Sequence, residues 1–135
     1  MLHSLTISSD LLWSNEFVFT RLGQGAFRLC VERLYHELTG KALQSTVIGK
    51  PYSLIYEHAN GVLEGWSKGP LNTVYMIGDN PESDIRGARD FGWRSILIKT
   101  GVWRGEPLKW QPDCIKDNVS DAVNYVLETE SQKGV

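Results

Sequence analysis

Two aspartates five positions apart, Asp79 and Asp84, sit in the run Gly78-Asp79-Asn80-Pro81-Glu82-Ser83-Asp84. The apolar stretch Thr73-Val74-Tyr75-Met76-Ile77 just before it reads as a buried strand, and Pro81 suits the first turn of a helix. Asp79 then lies at the tip of a strand and Asp84 in the first turn of the next helix, where both carboxylates can face one cavity. Hard oxygen ligands of this kind suit Mg²⁺, an ion that keeps several waters and takes one or two carboxylates together with substrate oxygens. Gly78 is expected to let the chain turn sharply, and the helix N-terminus beside Asn80 and Glu82 supplies free N–H groups for an anion or for the carboxylates. Helix capping is the plainer use of both aspartates, and this motif by itself leaves the two readings level.

A basic group at a second strand end shifts the balance. Ser45-Thr46-Val47-Ile48 reads as a buried strand running into Gly49-Lys50-Pro51, with Pro51 placed to open another helix. In a parallel sheet the Lys50 ammonium is carried to the same edge as Asp79 and Asp84, where it can offset the charge of a phosphoryl group or of a nucleophilic carboxylate.

The elements that must position these residues alternate. Residues 2–8 read as an opening strand, Leu5 and Ile7 alternating with small polar residues before the turn-prone Ser8-Ser9-Asp10. From Gly25 the spacing is helical, with Phe27, Cys30, Val31, Leu34 and Leu38 on one face, Arg28, Glu32 and Arg33 largely on the other, and a stop at Gly40. A helix over residues 51–63, the strand 73–77, a helix over 82–91, a strand over 95–98, a short strand at 114–115 and a helix over 120–129 follow. In that last helix Val123, Val126 and Leu127 are expected to face inward. The alternation predicts an α/β fold, a Rossmann-like, mostly parallel sheet flanked by helices, with ligands at the carboxyl ends of the strands.

Composition narrows the function classes. With 135 residues and 41% hydrophobic content the chain can build one core. A net charge of −2 gives no basic field to draw nucleic acid. Cys30 and Cys114 are far apart and outside metal-ligand spacing, so neither a disulfide framework nor a zinc site is expected, and a reducing intracellular compartment fits. No apolar run reaches the length of a membrane span, and the opening residues carry no targeting pattern. His3, His36 and His58 lack triad or ligand spacing, most of the five tryptophans read as packing residues, and Arg104 and Lys109 as solvated loop residues.

Gly49-Lys50-Pro51 and the run from Gly78 to Asp84 resemble the third and fourth motifs of haloacid dehalogenase-like hydrolases, in order and in spacing. The closer likeness is to subclass IIA, and within it to the haloacid dehalogenase-like hydrolase domain-containing protein five family, also called the cat eye syndrome critical region family. The residues that carry it are Asp10-Leu11-Leu12-Trp13-Ser14-Asn15, Arg21-Leu22-Gly23-Gln24-Gly25-Ala26-Phe27 and Met76 through Ala88. The resemblance implies a phosphatase in which an aspartate of an Asp-x-Asp motif attacks phosphorus and the second aspartate acts as acid and base. Lys50 would orient that nucleophile, Asp79 would bind Mg²⁺, Asp84 would hold a metal water or the lysine, and Gly49, Gly78 and Asn80 would support the phosphate loop. Mitochondrial placement and a small phosphorylated substrate also follow from the resemblance.

Residues 1–135 contain no Asp-x-Asp pair. Asp10 ends a strand-like segment, but Leu12 two residues on cannot transfer a proton, so Asp10 fits the turn after the cap better than the nucleophile position. On this resemblance residues 1–130 form the C-terminal part of the core domain without its cap, residues 131–135 a frayed tail, and the chain by itself has an incomplete metal site and no nucleophile. An open sheet edge along residues 73–77 is then expected to favour association with another chain, and a non-catalytic interaction module is the alternative function. A signalling receiver domain also combines carboxylates, Mg²⁺ and lysine, but places its acidic cluster before the lysine, the reverse of the order here.

Overall fold

The computed structural model describes residues 3–6, 8–67 and 69–133. Strand β1 (His3–Thr6) is followed by a small hairpin, β2 (Leu12–Trp13) and β3 (Arg21–Leu22), then α1 (Gln24–Thr39) and β4 (Gln44–Val47). Helix α2 (Ser53–Trp66) leads to β5 (Tyr75–Gly78), a π-helical turn over Pro81–Ile85 that runs into α3 (Arg86–Phe91), then β6 (Arg94–Ile98), β7 (Cys114–Lys116) and α4 (Val119–Lys133). The α/β alternation is as predicted, with parallel strands and flanking helices.

The parallel strands form two sheets. β1 pairs with β4, and β5–β6–β7 form a second sheet in that order, with Ile77 opposite Ile96 and Leu97 opposite Ile115. Only β2 and β3 are antiparallel among the described strands. β6 is the central strand and reads as a continuous apolar run, Ser95, Ile96 and Leu97 all buried, as a strand covered on both faces requires. β5 has β6 on one side, and its other edge pairs with no described strand.

The core lies around β6: Ile96, Leu97, Ile85, Ala88 and Ala122 are fully buried. Tyr56 of α2 joins them, stacked on Phe91 and edge-on to Trp93, with ring centroids 5.7 and 5.4 Å away. Gly87 makes this possible, because a Cβ there would collide with the Tyr56 ring. Gly40 and Gly92 end α1 and α3 in the left-handed conformation, at φ 68° and 90°, which glycine adopts without a Cβ penalty.

Several local expectations need correction. The apolar stripe of α1 stays on the surface, Phe27, Leu34 and Leu38 being exposed. Instead Arg28 and Glu32 turn inward, and Glu32 bridges Arg28 Nη1 to Ser45 Oγ of β4 at 2.9 and 2.7 Å. β1 buries Thr6 and exposes Leu5, and Ile7 lies outside the described residues. β4 is half-exposed rather than buried. α2 starts at Ser53, two residues after Pro51, and runs to Trp66. α4 buries Ala122, while Val123, Val126 and Leu127 line an open apolar groove beside β5. That helix runs on to Lys133, so residues 131–133 are helical, and 134–135 lie outside the described residues. Of the tryptophans, Trp93 packs in the core, whereas Trp66 is exposed.

Candidate functional site

The carboxyl ends of β4 and β5, strands of separate sheets rather than of the single sheet expected, bring Lys50 onto Asp84, with the Asp79 charge near enough to act on Lys50. After β5 the chain turns at Gly78, and Asn80 caps the π-helical turn by accepting a hydrogen bond from Glu82 N–H at 3.0 Å, with Pro81 in the first position. Asp84 folds back on this turn. Its Oδ2 accepts from Asn80 N–H at 3.0 Å and its Oδ1 from the Lys50 ammonium at 2.5 Å, so a carboxylate only 2% exposed is fully engaged. Asp84 N–H in turn donates to Asn80 O at 2.8 Å, a backbone bond of the helical turn. The plain capping function thus falls to Asn80, and the Asp84 side chain is committed to the lysine.

Gly78 has a different reason from the one its type suggested. It is absent from the positive-φ glycines, and a Cβ there would overlap the Asp84 carboxylate. Space, not backbone freedom, makes this position glycine. Gly49 is buried at the other strand end, and its carbonyl accepts from Tyr52 N–H at 3.1 Å, closing the turn that presents Lys50.

Asp79 is clamped by a loop that sequence reasoning had set aside as solvated. Val102 N–H donates to Asp79 Oδ2 at 2.7 Å and Trp103 N–H to Asp79 O at 3.2 Å, and a Cβ on Gly101 would strike the carboxylate. Thr100-Gly101-Val102 directly after an apolar strand was the available signal. Within the same loop Arg104 donates to Ser14 Oγ at 2.9 Å, and Lys109 lies over the Trp110 ring.

Three further residues were missed or underrated. Asp10 Oδ1 accepts from Asn80 Nδ2 at 3.1 Å, and Ser9 Oγ donates to Lys50 O at 2.6 Å, so the segment after β1 buttresses the site. Tyr56 donates to Ser83 O at 3.2 Å, and its hydroxyl is 3.4 Å from Asp84 O, pinning the π-helical turn from α2, the helix that follows Lys50. Burial and the charges of Asp84, Asp10 and Asp90 push the Tyr56 hydroxyl well above its ordinary range. For Lys50, burial pulls the ammonium pKa down, but the hydrogen bond to Asp84 and the charges of Asp84, Asp10 and Asp79 together outweigh it, and the net shift is upward.

The donor set fits a water-rich hard cation and little else. No three His, Cys, Asp or Glu side chains converge as metal ligands among the described residues. Among the described residues Asp79 Oδ2 and both Asp84 oxygens each carry a hydrogen bond, which makes Asp79 Oδ1 the most available of the four to an ion. Mg²⁺, content with one or two carboxylates and several waters, is compatible with that arrangement.

Residues 47–122 match the family model described as HAD-hydrolase-like. A mitochondrial hydrolase of Saccharomyces cerevisiae is 43% identical over 146 residues, covering 90% of this chain and 42% of the relative. A thermostable NPPase of Geobacillus stearothermophilus superposes with a TM-score of 0.62 at 29% identity, over 88% of this chain and 43% of its own. A glycerol phosphate phosphatase of Mycobacterium tuberculosis, solved in complex with magnesium, shares the fold with a TM-score of 0.57 at 23% identity, over 87% of this chain and 34% of its own. The chain spans between a fifth and about two-fifths of the curated relatives it matches. Since the matched region runs from β4 through the first turn of α4 and holds Lys50, Asp79 and Asp84, the chain belongs to the HAD-hydrolase-like family.

Proposed function

We propose that residues 1–135 are the C-terminal part of the core of a magnesium-dependent phosphomonoesterase, of subclass IIA and closest to the cat eye syndrome critical region family, and that they do not turn over substrate alone. One observation carries this reading: the Lys50 ammonium and the buried Asp84 carboxylate meet at the strand edge that also presents Asp79. In it Asp79 holds Mg²⁺, Asp84 fixes Lys50, and Gly49, Gly78 and Asn80 shape the loops around the phosphoryl group. Mg²⁺ bound there would supply positive charge to the phosphoryl oxygens. The chain's own contribution is to hold the Lys50 charge in place, exclude bulk water from Asp84, and orient the Asp79 carboxylate through Val102 N–H.

No Asp-x-Asp pair occurs among residues 1–135, so the covalent step needs a carboxylate from elsewhere. The substrate in this reading is a small phosphorylated molecule, in keeping with the glycerol phosphate phosphatase that shares the fold, and the compartment is the mitochondrion, in keeping with the yeast mitochondrial hydrolase. No described helix is long and apolar enough to cross a membrane.

A second reading, a non-catalytic interaction module, is favoured by one feature. The free edge of β5 borders an apolar groove of about 370 Å³ lined by Leu63, Val74, Ile77, Val123 and Leu127, which is suited to an added strand. Magnesium-dependent hydrolysis of p-nitrophenyl phosphate separates the two. It is measured for residues 1–135 alone and mixed with the part of the Saccharomyces cerevisiae relative outside the matched region. The hydrolase reading expects no turnover alone and turnover in the mixture that is lost in Asp79→Asn. A mixture that associates without turnover supports the module.

A further inference from the structure

A cleft of about 490 Å³ opens next to the Lys50–Asp84 pair, between α1, the segment after β1 and the π-helical turn. Hydrogen-bond accounting singles it out. Arg28 Nε, Ser83 Oγ and Arg86 Nε are buried without a hydrogen-bond partner among the described residues, and all three residues line this cleft. Ser83 is 2% exposed, and such groups are ordinarily satisfied.

Both guanidinium groups are held from outside the cleft. Arg28 Nη1 donates to Glu32 Oε1 at 2.9 Å. The Arg86 guanidinium lies 5.5 Å from the Trp110 ring centroid, and its Nε is 3.6 Å from Asp90 Oδ2, too far for a hydrogen bond. The acidic residues on the wall are already engaged. Asp10 accepts from Asn80 Nδ2 and from Ser8 Oγ, and Glu82 from Trp110 Nε1 at 3.2 Å. Leu11, Leu12 and Leu29 supply an apolar side.

We propose that Arg28, Arg86 and Ser83 form a recess for an anionic oxygen group, carboxylate or phosphate, on the leaving group of the substrate. The proposal rests on the hydrolase reading of Lys50 and Asp79, since it places the transferred phosphoryl group there and the second anion here. Arg28 on α1 and Arg86 on α3 both border the cleft, and a guanidinium is a planar donor that matches a carboxylate or phosphate better than a lysine or a neutral hydroxyl does. A substrate with a neutral leaving group would leave these donors without acceptors.

The test uses nitrogen-15 NMR of the arginine Nε–H groups, which are the donors in question, together with the Lys50 side-chain resonances. Residues 1–135 are titrated in the presence of Mg²⁺ with carboxyethyl phosphate, ethylene glycol bisphosphate and ethyl phosphate, with Arg28→Lys and Arg86→Lys for assignment. The expected result is that ethyl phosphate shifts Lys50 alone, while carboxyethyl phosphate or the bisphosphate shifts Lys50 and both arginines, whichever binds tighter naming the anion. Arg86→Gln should weaken the doubly anionic ligand roughly tenfold and leave ethyl phosphate unchanged. Lys50 responding with silent arginines overturns the recess and leaves the hydrolase reading standing. Arginines responding equally to ethyl phosphate also overturn it, because the recess would then hold the transferred group. Arginines responding without Lys50 keep an anion site and overturn the hydrolase reading beneath it, and silence throughout overturns both.

Discussion

The two halves of this molecule handle apolar surface in opposite ways. From β5 onward the chain makes its own core: Ile85, Ala88, Ile96, Leu97 and Ala122 are all fully buried. Before β5 the side chains that ought to do the same are exposed, Val18, Phe19, Leu22, Phe27, Leu34 and Leu38 among them, and among the described residues Leu43 and Tyr56 are the buried large apolar ones. Tyr56 is buried against the other half. The difference teaches that β5–α4 holds most of the core of this chain around β6, whereas the first half carries apolar faces that contribute little burial. The candidate site sits on the seam, joined by Lys50 with Asp84, Asp10 with Asn80, and Tyr56 with Ser83.

Substitutions across the seam sharpen this contrast. Ile96→Ala removes a fully buried side chain from the complete half and should cost about 2–5 kcal/mol in denaturant unfolding. An effect below 1 kcal/mol would deny that half its core. Lys50→Met comes next, because it strips the partner from the buried Asp84 carboxylate. With the lysine side chain 39% exposed, solvent screens part of the loss, and about 1–3 kcal/mol is expected.

The pH dependence of that second effect has a definite sign. The folded-state pKa of Lys50 lies above its ordinary 10.5, so the ammonium's contribution is fully present below pH 10.5 and fades as pH rises through the folded value. The gap between wild type and Lys50→Met should therefore hold from neutral pH to about that point and narrow above it. A gap that widens with rising pH would contradict the Lys50–Asp84 pairing.

Smaller effects are expected from Tyr56→Phe and Leu34→Ser. The first keeps the ring against Phe91 and Trp93 and deletes the hydroxyl that holds the π-helical turn, costing about 0.5–1.5 kcal/mol by the same unfolding measurement. The second alters an exposed residue of α1 and should stay within about 0.5 kcal/mol. A loss of several kcal/mol at Leu34 would show the first half to be as well packed as the second.

Legibility followed burial more than position in the chain. The strands around Ile77 and Ile96, the helix starting near Pro81 and the convergence of Lys50 with Asp84 could be read from apolar runs ending in glycine and charge, because local burial there matches local pattern. The α1 face, β4 and the inward face of α4 were misread for one physical reason. Periodicity reports which side chains would be buried by a partner surface, and in this chain Leu34, Leu38, Val123 and Leu127 meet no such surface. The clamp on Asp79 by Val102 N–H and the brace on Ser83 by Tyr56 involve main-chain groups, which residue type does not announce.

The most direct test of an incomplete site on an open seam is a set of thermal melting curves. They are recorded for residues 1–135, for the part of the Saccharomyces cerevisiae relative outside the matched region, and for the mixture, each with and without millimolar Mg²⁺, and again with Asp79→Asn. The account predicts a small magnesium shift for residues 1–135 alone, since one or two carboxylates give the ion little over its hydration shell. It predicts a higher melting temperature and a clear magnesium response in the mixture, lost with Asp79→Asn. A strong magnesium shift for residues 1–135 alone, or a mixture that melts as its separate parts do, would contradict it.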